Sequence, residues 1–494
     1  MADKPKMRRE VEKDDFHSIV LPPDGSLLGG RWISTGARFA LLNKFSQNVI
    51  AEISEATPDQ VEQAVIIAST AFSRGGPPPV RRAEYLRRSA QLLQERRSQF
   101  LGLMVAETGF TIAEVNGDID RTIVTLGLCA EEATRIIGET VSFSSTPGQH
   151  NRLGFTLRVP LGIVCCITPF NSPLNTVAHK VAPALAAGNS VILKPSELTP
   201  LTAALFCQLL LDAGVPADFL ALLQGSGSGI GKQLVANAAI SFYSFTGSTR
   251  VGREIQKGAA LRRTQMELGS IASTIVFADA NLDKALPKIA AASFRKAGQV
   301  CTSVQRLYVE RAVFKDTVER LSEEAASFQT GDPRNPETRL GPMISIQSAK
   351  RAATWIEEAR QDQARVLAGG SRNGAILSAT VITDVRDGMR VIEEEIFAPC
   401  VSVMPFDNFD SAIAHANNTP FGLAAGIFTE DLARGIQAAR GMRFGAIHIN
   451  ETSSARSDAM PFGGVKESGF GREGPAYAIR ELTEERLVTI NGYD

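Results

Sequence analysis

The 494-residue chain has five histidines and six cysteines, and neither type clusters. His17, His150, His179, His415 and His448 form no HExxH and no paired spacing. Cys129, Cys165, Cys166, Cys207, Cys301 and Cys400 form no CxxC. Those absences exclude the usual zinc patterns, so no metal is expected. The first fifteen residues, MADKPKMRREVEKDD, carry charge where an export signal needs an apolar run. A disulfide framework is therefore not expected, and a cytoplasmic setting is. No run reaches the ~18 apolar residues of a membrane-spanning helix. A dominant charge is missing too: Lys plus Arg total 52 and Asp plus Glu 53, a net of −1. That balance argues against a nucleic-acid partner.

What is present is ordinary globular composition, 44% hydrophobic and 21% charged. At ~150 residues per domain the length suggests two to four domains. Thr57-Pro58-Asp59-Gln60 joins an N-cap, a first-turn Pro and a third-position Gln, followed by apolar residues at helical spacing. Arg81–Phe100, Leu101–Glu107 and Ile119–Ile137 also read as helices. Glu139–Ser145 and Arg152–Pro160 alternate like the two arms of a hairpin around a turn-rich loop. From 161 to 260, apolar runs at Gly162–Thr168, Ser190–Lys194, Phe219–Gln224 and Ile240–Phe245 alternate with helical segments. That alternation predicts βαβ units and a parallel sheet. A second α/β stretch begins near Ser273–Ala278, and Leu487–Ile490 closes the chain as a strand. Repeats and low-complexity linkers are absent, so the domains are expected to interleave.

Ligands of open α/β sheets sit beyond the carboxyl ends of the strands. Polar residues fall there four times: Thr168-Pro169-Phe170-Asn171, Lys194-Pro195-Ser196-Glu197, Gly225 to Gly229, and Thr246-Gly247-Ser248. A carboxylate such as Glu197 suits ribose hydroxyls, although a capped helix with a solvated Lys194 is the competing reading. Gly225, Gly227, Gly229 and Gly231 fit no GxGxxG register, and Gly247–Gly252 at a helix start is the better phosphate candidate. Cys301 lies in the small, polar setting Gly298-Gln299-Val300-Cys301-Thr302-Ser303, unlike Cys165 and Cys166 in an apolar strand. Taken alone, Cys301 and Glu267 are as readily core and capping residues as catalytic ones.

Seven motifs in order then resemble the NAD(P)-dependent aldehyde dehydrogenase superfamily: Thr168–Pro173, Lys194–Glu197, Phe245–Gly252, Glu267–Gly269, Gly298–Ser303, Glu394–Pro399 and Pro461–Gly474. The resemblance runs from about residue 25 to the end. It implies that Cys301 is the nucleophile, that the Asn171 amide and the Cys301 N–H hold the oxyanion, and that Glu267 activates water. Glu473 would relay protons. The cofactor, NAD rather than NADP, would meet Thr168, Pro169, Phe170, Lys194, Ser196, Glu197, Gly225, Gly229, Phe245, Thr246, Gly247, Ser248, Leu268, Gly269, Glu395 and Phe397. Three positions depart from the family's common pattern: Ser270 replaces a Gly, Ala398 a Gly, and Phe170 a frequent Trp.

The implied fold is two interleaved, doubly wound α/β domains with a bridging β-hairpin. Residues 1–138 and 161–268 would bind NAD, 269–466 would be catalytic, and 139–160 with 483–494 would bridge subunits into a homodimer or homotetramer. A retained Cys301, Glu267 and Asn171 weigh against a non-catalytic descendant, and Glu267 weighs against CoA as acyl acceptor. Arg456, in the entrance loop Glu451–Met460, resembles lactaldehyde and semialdehyde branches and would clamp an anionic aldehyde, unless it pairs with Asp458 or a neighbouring subunit.

Overall fold

The computed structural model describes Ile19 and residues 21–492. The charged stretch 1–15, His17 and the last two residues of the C-terminal segment lie outside the described residues. Among the described residues no helix is long and apolar enough to cross a membrane.

Two sheets carry the architecture. From edge to edge the larger runs Arg31–Ile33, Ser26–Leu28, Leu220–Leu222, Ser190–Lys194, Ile163–Ile167, Ile240–Thr246, Arg263–Glu267 and Gly469–Phe470. Ile163–Ile167 and Ser190–Lys194 are buried at every position, as strands covered on both faces must be, and both are nearly continuous apolar runs. The chain winds outward from Ile163–Ile167 to Leu220–Leu222, then restarts on the other side at Ile240–Thr246, with parallel pairing across these central strands. The reversal between Ile167 and Thr246 is a topological switch point, where a crevice opens at the carboxyl edge. Register aligns that edge, because Ile167 pairs with both Phe245 and Lys194 while Thr246 pairs with Glu267.

The second sheet has the order Arg365–Ala368, Thr380–Thr383, Cys400–Phe406, Val304–Glu310, Ala272–Val276, Ala424–Phe428 and Ala446–Ile449. The chain leaves the first sheet at Glu267 and enters the second at Ala272, so their edges stay close. Late in the chain it comes back: Gly469–Phe470 pairs antiparallel with Arg263–Glu267, placing Gly469 opposite Glu267. The two α/β bodies are interleaved in this way.

Three local expectations differ from the structure. Arg81–Phe100 is not one helix: Pro79–Glu95 ends at Arg96, which leaves helical angles at φ −104, ψ 18, and Arg97–Thr108 restarts. No Pro or Gly marks that break. The 139–145 arm is strand only at Thr140–Val141 and then forms a 3-10 turn at Phe143–Ser145. Gly154 explains the turn, since a Cβ there would sit 2.1 Å from the Phe143 ring, and only glycine lets the ring fold over the strand. The long partner of Arg152–Pro160 is instead the C-terminal strand Thr483–Asn491, paired over nine positions. Finally, the helical segment between Phe219–Gln224 and Ile240–Phe245 begins as a wider π turn at Gly227–Gly231.

Candidate active site

A cavity of about 680 Å³ opens at the switch point and extends to the amino end of Val304–Glu310. That volume is within the ~300–1,000 Å³ usual for small-molecule sites. It is lined by Cys301, Glu267, Asn171, Glu473 and Arg456, and by every cofactor candidate named above except Gly225 and Gly229. Those two turn away: a Cβ on either would approach Glu55 or Ser226 behind the loop, and Gly227 is the glycine facing the cavity.

Cys301 is delivered by a strained turn. Lys296, Ala297 and Gly298 all have positive φ, at 53, 53 and 67 degrees. For the two non-glycine residues this costs about 1–2 kcal/mol each. Gly298 has no alternative, because a Cβ would lie 2.0 Å from the Ala398 carbonyl oxygen. The turn is held from outside by Glu114, whose carboxylate accepts from Lys296 N, and by the Asn171 amide, whose Nδ2 donates to Gln299 O at 2.8 Å. Burial pushes the Cys301 thiol up to about 12, and Glu267, Glu395 and Glu473 push the same way. Arg456 is the cation that opposes them.

The carboxylates divide sharply. Glu473 is 2% exposed, with Lys180 Nζ at 3.1 Å on one oxygen and Arg456 Nη2 at 2.7 Å on the other. Burial alone would raise its pKa, but the two cations hold it well below the usual carboxylate range. Glu267 is equally buried and neither oxygen has a hydrogen-bond partner among the described residues. Burial, then repulsion from Glu473, lifts its pKa well above the ordinary value. One carboxylate is a fixed anion and the other is poised to exchange a proton. That is the pairing general acid–base chemistry requires.

The other half of the cavity fits a dinucleotide. Ser248 caps helix Thr249–Ala259 by accepting from Val251 N, and the first turn carries no acidic residue to repel a phosphate at the N–H groups before it. Thr168 Oγ1, Thr246 Oγ1 and Ser270 Oγ are buried without partners among the described residues. Lys194 is buried with Nζ 3.4 Å from Glu197, whose side chain is 47% exposed at the rim. Glu395 accepts from Ser270 N at 2.9 Å, and burial lifts it to about 7. Gly269 lies against it so closely that a Cβ would be 2.9 Å from its carboxylate. Phe397 meets Phe170 edge-on at 5.9 Å.

Several residues at the site carried no motif. Lys180 lies in the buried helix Asn175–Ala187, where it is the one Lys, Arg, Asp or Glu, and that charge was the available signal. Glu114, Asp118, Arg121 and Thr125 lie at i, i+4, i+7 and i+11 of helix Ile112–Ala133, a polar stripe at helical spacing that faces the site. Asp458 does not pair with Arg456. It takes Arg121 through two bonds, at 2.7 and 3.2 Å, along with His179 at 2.9 Å. Arg295 also lines the cavity, donating to Ser454 Oγ at 2.9 Å.

Comparison with known proteins follows the same outline. The profile of the aldehyde dehydrogenase family matches residues 32–488. A 3-sulfolactaldehyde dehydrogenase of Priestia aryabhattai is 44% identical, over 94% of this chain and 98% of that one. Aspartate-semialdehyde dehydrogenase 1 of Pseudomonas canavaninivorans is 39% identical, over 91% and 96%. Among solved structures, aldehyde dehydrogenase 21 of Physcomitrella patens in complex with the reaction product succinate superposes with a TM-score of 0.92 at 31% identity, covering 96% of this chain and 99% of that one.

Proposed function

Because the chain belongs to the aldehyde dehydrogenase family and is an NAD(P)-dependent oxidoreductase, we propose that it oxidises a short aldehyde bearing an acidic group to the corresponding acid. The observation that carries the substrate class is the set of three guanidinium groups, from Arg121, Arg295 and Arg456, lining the same cavity as Cys301; a fourth, Arg351, donates to Ile396 O at 2.8 Å, next to Glu395. Arg456 is already engaged by Glu473, and Arg121 by Asp458. Among the described residues Arg295 donates to the neutral Ser454 hydroxyl and has no carboxylate in ion-pair range. A substrate sulfonate or carboxylate would supply the missing anion. The substrates named for the two relatives, and the succinate in the plant enzyme, carry such groups.

In this reading the Cys301 thiolate attacks the aldehyde carbon, and the carbonyl oxygen becomes an oxyanion facing the Asn171 amide and the Cys301 N–H. The bound dinucleotide supplies the hydride acceptor. Loss of hydride from the thiohemiacetal leaves a thioester on Cys301. Glu267 takes a proton from water, the resulting hydroxide attacks the thioester, and the acid leaves as Glu267 passes that proton to the departing Sγ. Glu473, fixed as an anion by Lys180 and Arg456, keeps the Glu267 proton affinity high. Thr246, Ser248, Lys194 and Glu197 would hold the phosphates and the adenosine ribose, while Glu395 and Phe397 would hold the nicotinamide end. Glu197 favours NAD, because a 2′-phosphate beside its carboxylate meets like charge. Six free thiols suit a reducing compartment, and we assign the enzyme to the cytoplasm. We assign the Arg152–Pro160 and Thr483–Asn491 ribbon to subunit contact.

The test is kcat/KM for 3-sulfolactaldehyde, succinic semialdehyde and aspartate semialdehyde against neutral aldehydes of equal length, each with NAD and NADP. Anionic substrates should lead. Arg295→Gln should cost them about 10–100-fold, the loss of one charged hydrogen bond, and cost neutral aldehydes far less. Equal losses for both classes would end the anionic reading while leaving the oxidation intact.

A further inference from the structure

The strained turn before Cys301 and the segment carrying Asn171 are stitched together in both directions. Asn171 Nδ2 donates to Gln299 O at 2.8 Å, and Lys296 Nζ donates back to Asn171 O at 3.1 Å. The second stitch is a buried ammonium, and a buried charge needs a counterion. Asp118 supplies it at 3.0 Å, from a side chain 2% exposed. The same carboxylate accepts from Ser172 Oγ at 2.7 Å and Asn175 N at 3.2 Å, so it also grips the two sides of the turn that follows Asn171. Asp118 is thus tied to both loops that carry the reacting groups, and it comes from a third, rigid element, the helix Ile112–Ala133. The left-handed angles of Lys296 and Ala297 are held by Glu114, which accepts from Lys296 N, so what Asp118 adds is the distance between that turn and the Asn171 segment.

We propose that Asp118, through Lys296, is a positioning residue that sets the Asn171 amide at the distance from Cys301 where the oxyanion forms. The inference rests on the role given above to Asn171. Asp118 touches no reacting atom; it fixes the separation of two loops that do, and rate depends steeply on that separation.

A double-mutant cycle with one control tests this. The single-turnover rate of NADH formation is measured for Asp118→Asn, Asn171→Ala and the double variant, alongside the rate at which iodoacetamide alkylates Cys301. Alkylation needs the thiol but no oxyanion site. Asn171→Ala should slow the turnover about 100–1,000-fold. Asp118→Asn should slow it about 10–100-fold, with unchanged NAD affinity and unchanged alkylation. In the Asn171→Ala background, Asp118→Asn should cost nothing more, because it acts through the missing amide. Multiplicative losses, or alkylation that slows in step with turnover, would overturn the proposal. A normal rate in Asn171→Ala would remove the oxyanion role itself, and this proposal with it, which is a separable result. Should Asp118→Asn fail to fold, Lys296→Met enters the same cycle with the same expectations.

Discussion

Glu267 and Glu473 share one burial, yet their proton affinities are driven in opposite directions by the cations each can reach. Lys180 and Arg456 both bond Glu473, and neither bonds Glu267. Glu267 is protonated more readily than an ordinary carboxylate, and it must be ionised to activate water. The deacylation rate should therefore rise with pH through its raised pKa. Glu473→Gln removes the repelling charge and releases two cations toward Glu267, and both changes lower that pKa. The ascending limb of the pH–kcat profile should move to lower pH. A limb that stays in place would show that it belongs to a group whose charge does not depend on Glu473. Glu267→Gln should give a burst of NADH followed by slow turnover as the thioester accumulates. Rapid-quench kinetics would reveal equal loss of burst and steady state if Glu267 is not the deacylation base.

Among elements, helix Pro200–Asp212 shows how far apart in sequence a cap can lie. Its own N-cap residue, Thr199, makes no side-chain cap bond. The cap comes from Glu107, at the end of helix Arg97–Thr108, whose carboxylate accepts from Leu201 N at 2.6 Å and Thr202 N at 2.9 Å. Glu107→Ala would orphan two buried N–H groups, and the expected loss is about 2 kcal/mol in urea unfolding. Activity at temperatures well below unfolding should be unchanged, because Glu107 lines no part of the cavity. The same lesson applies to helix Ile112–Ala133. Val115, Ile119 and Leu126 pack inward, and its stripe of Glu114, Asp118, Arg121 and Thr125 is committed to the segments around the active site rather than to solvent.

At the scale of the whole molecule, the ribbon of Arg152–Pro160 and Thr483–Asn491 stands out by its exposed apolar face. Leu153 lies opposite Ile490, and Leu157 follows on the same face by strand alternation. All three are exposed, at 40%, 44% and 46% in the order Leu153, Ile490, Leu157. Contiguous exposed apolar surface on a regular ribbon is the signature of a partner site. The protein should run as a dimer or tetramer in light scattering, and Leu153→Arg with Ile490→Arg should lower that mass. An unchanged mass would place the subunit contact elsewhere.

Much of this was written locally. The alternation of apolar runs and helices between 161 and 260 specified a parallel sheet, because a strand buried on both faces must be apolar throughout, as Ile163–Ile167 and Ser190–Lys194 are. The strand-end residues Thr168, Lys194 and Thr246 were legible for the same reason: the chain rule places ligands there. The local patterns could not supply partners distant in sequence. Nothing near Arg152–Pro160 says that its long partner strand will come from residues 483–491, and nothing near Glu267 says that a carboxylate from residue 473 will repel it while two cations look elsewhere. Arg456 on its own reads as a free clamp; Glu473 makes it half of an ion pair, and Arg295, with no motif around it, becomes the less committed cation. Charge on a side chain is set by the sequence, but what that charge does is set by which opposite charges share its low-dielectric surroundings, and only the tertiary fold brings those together.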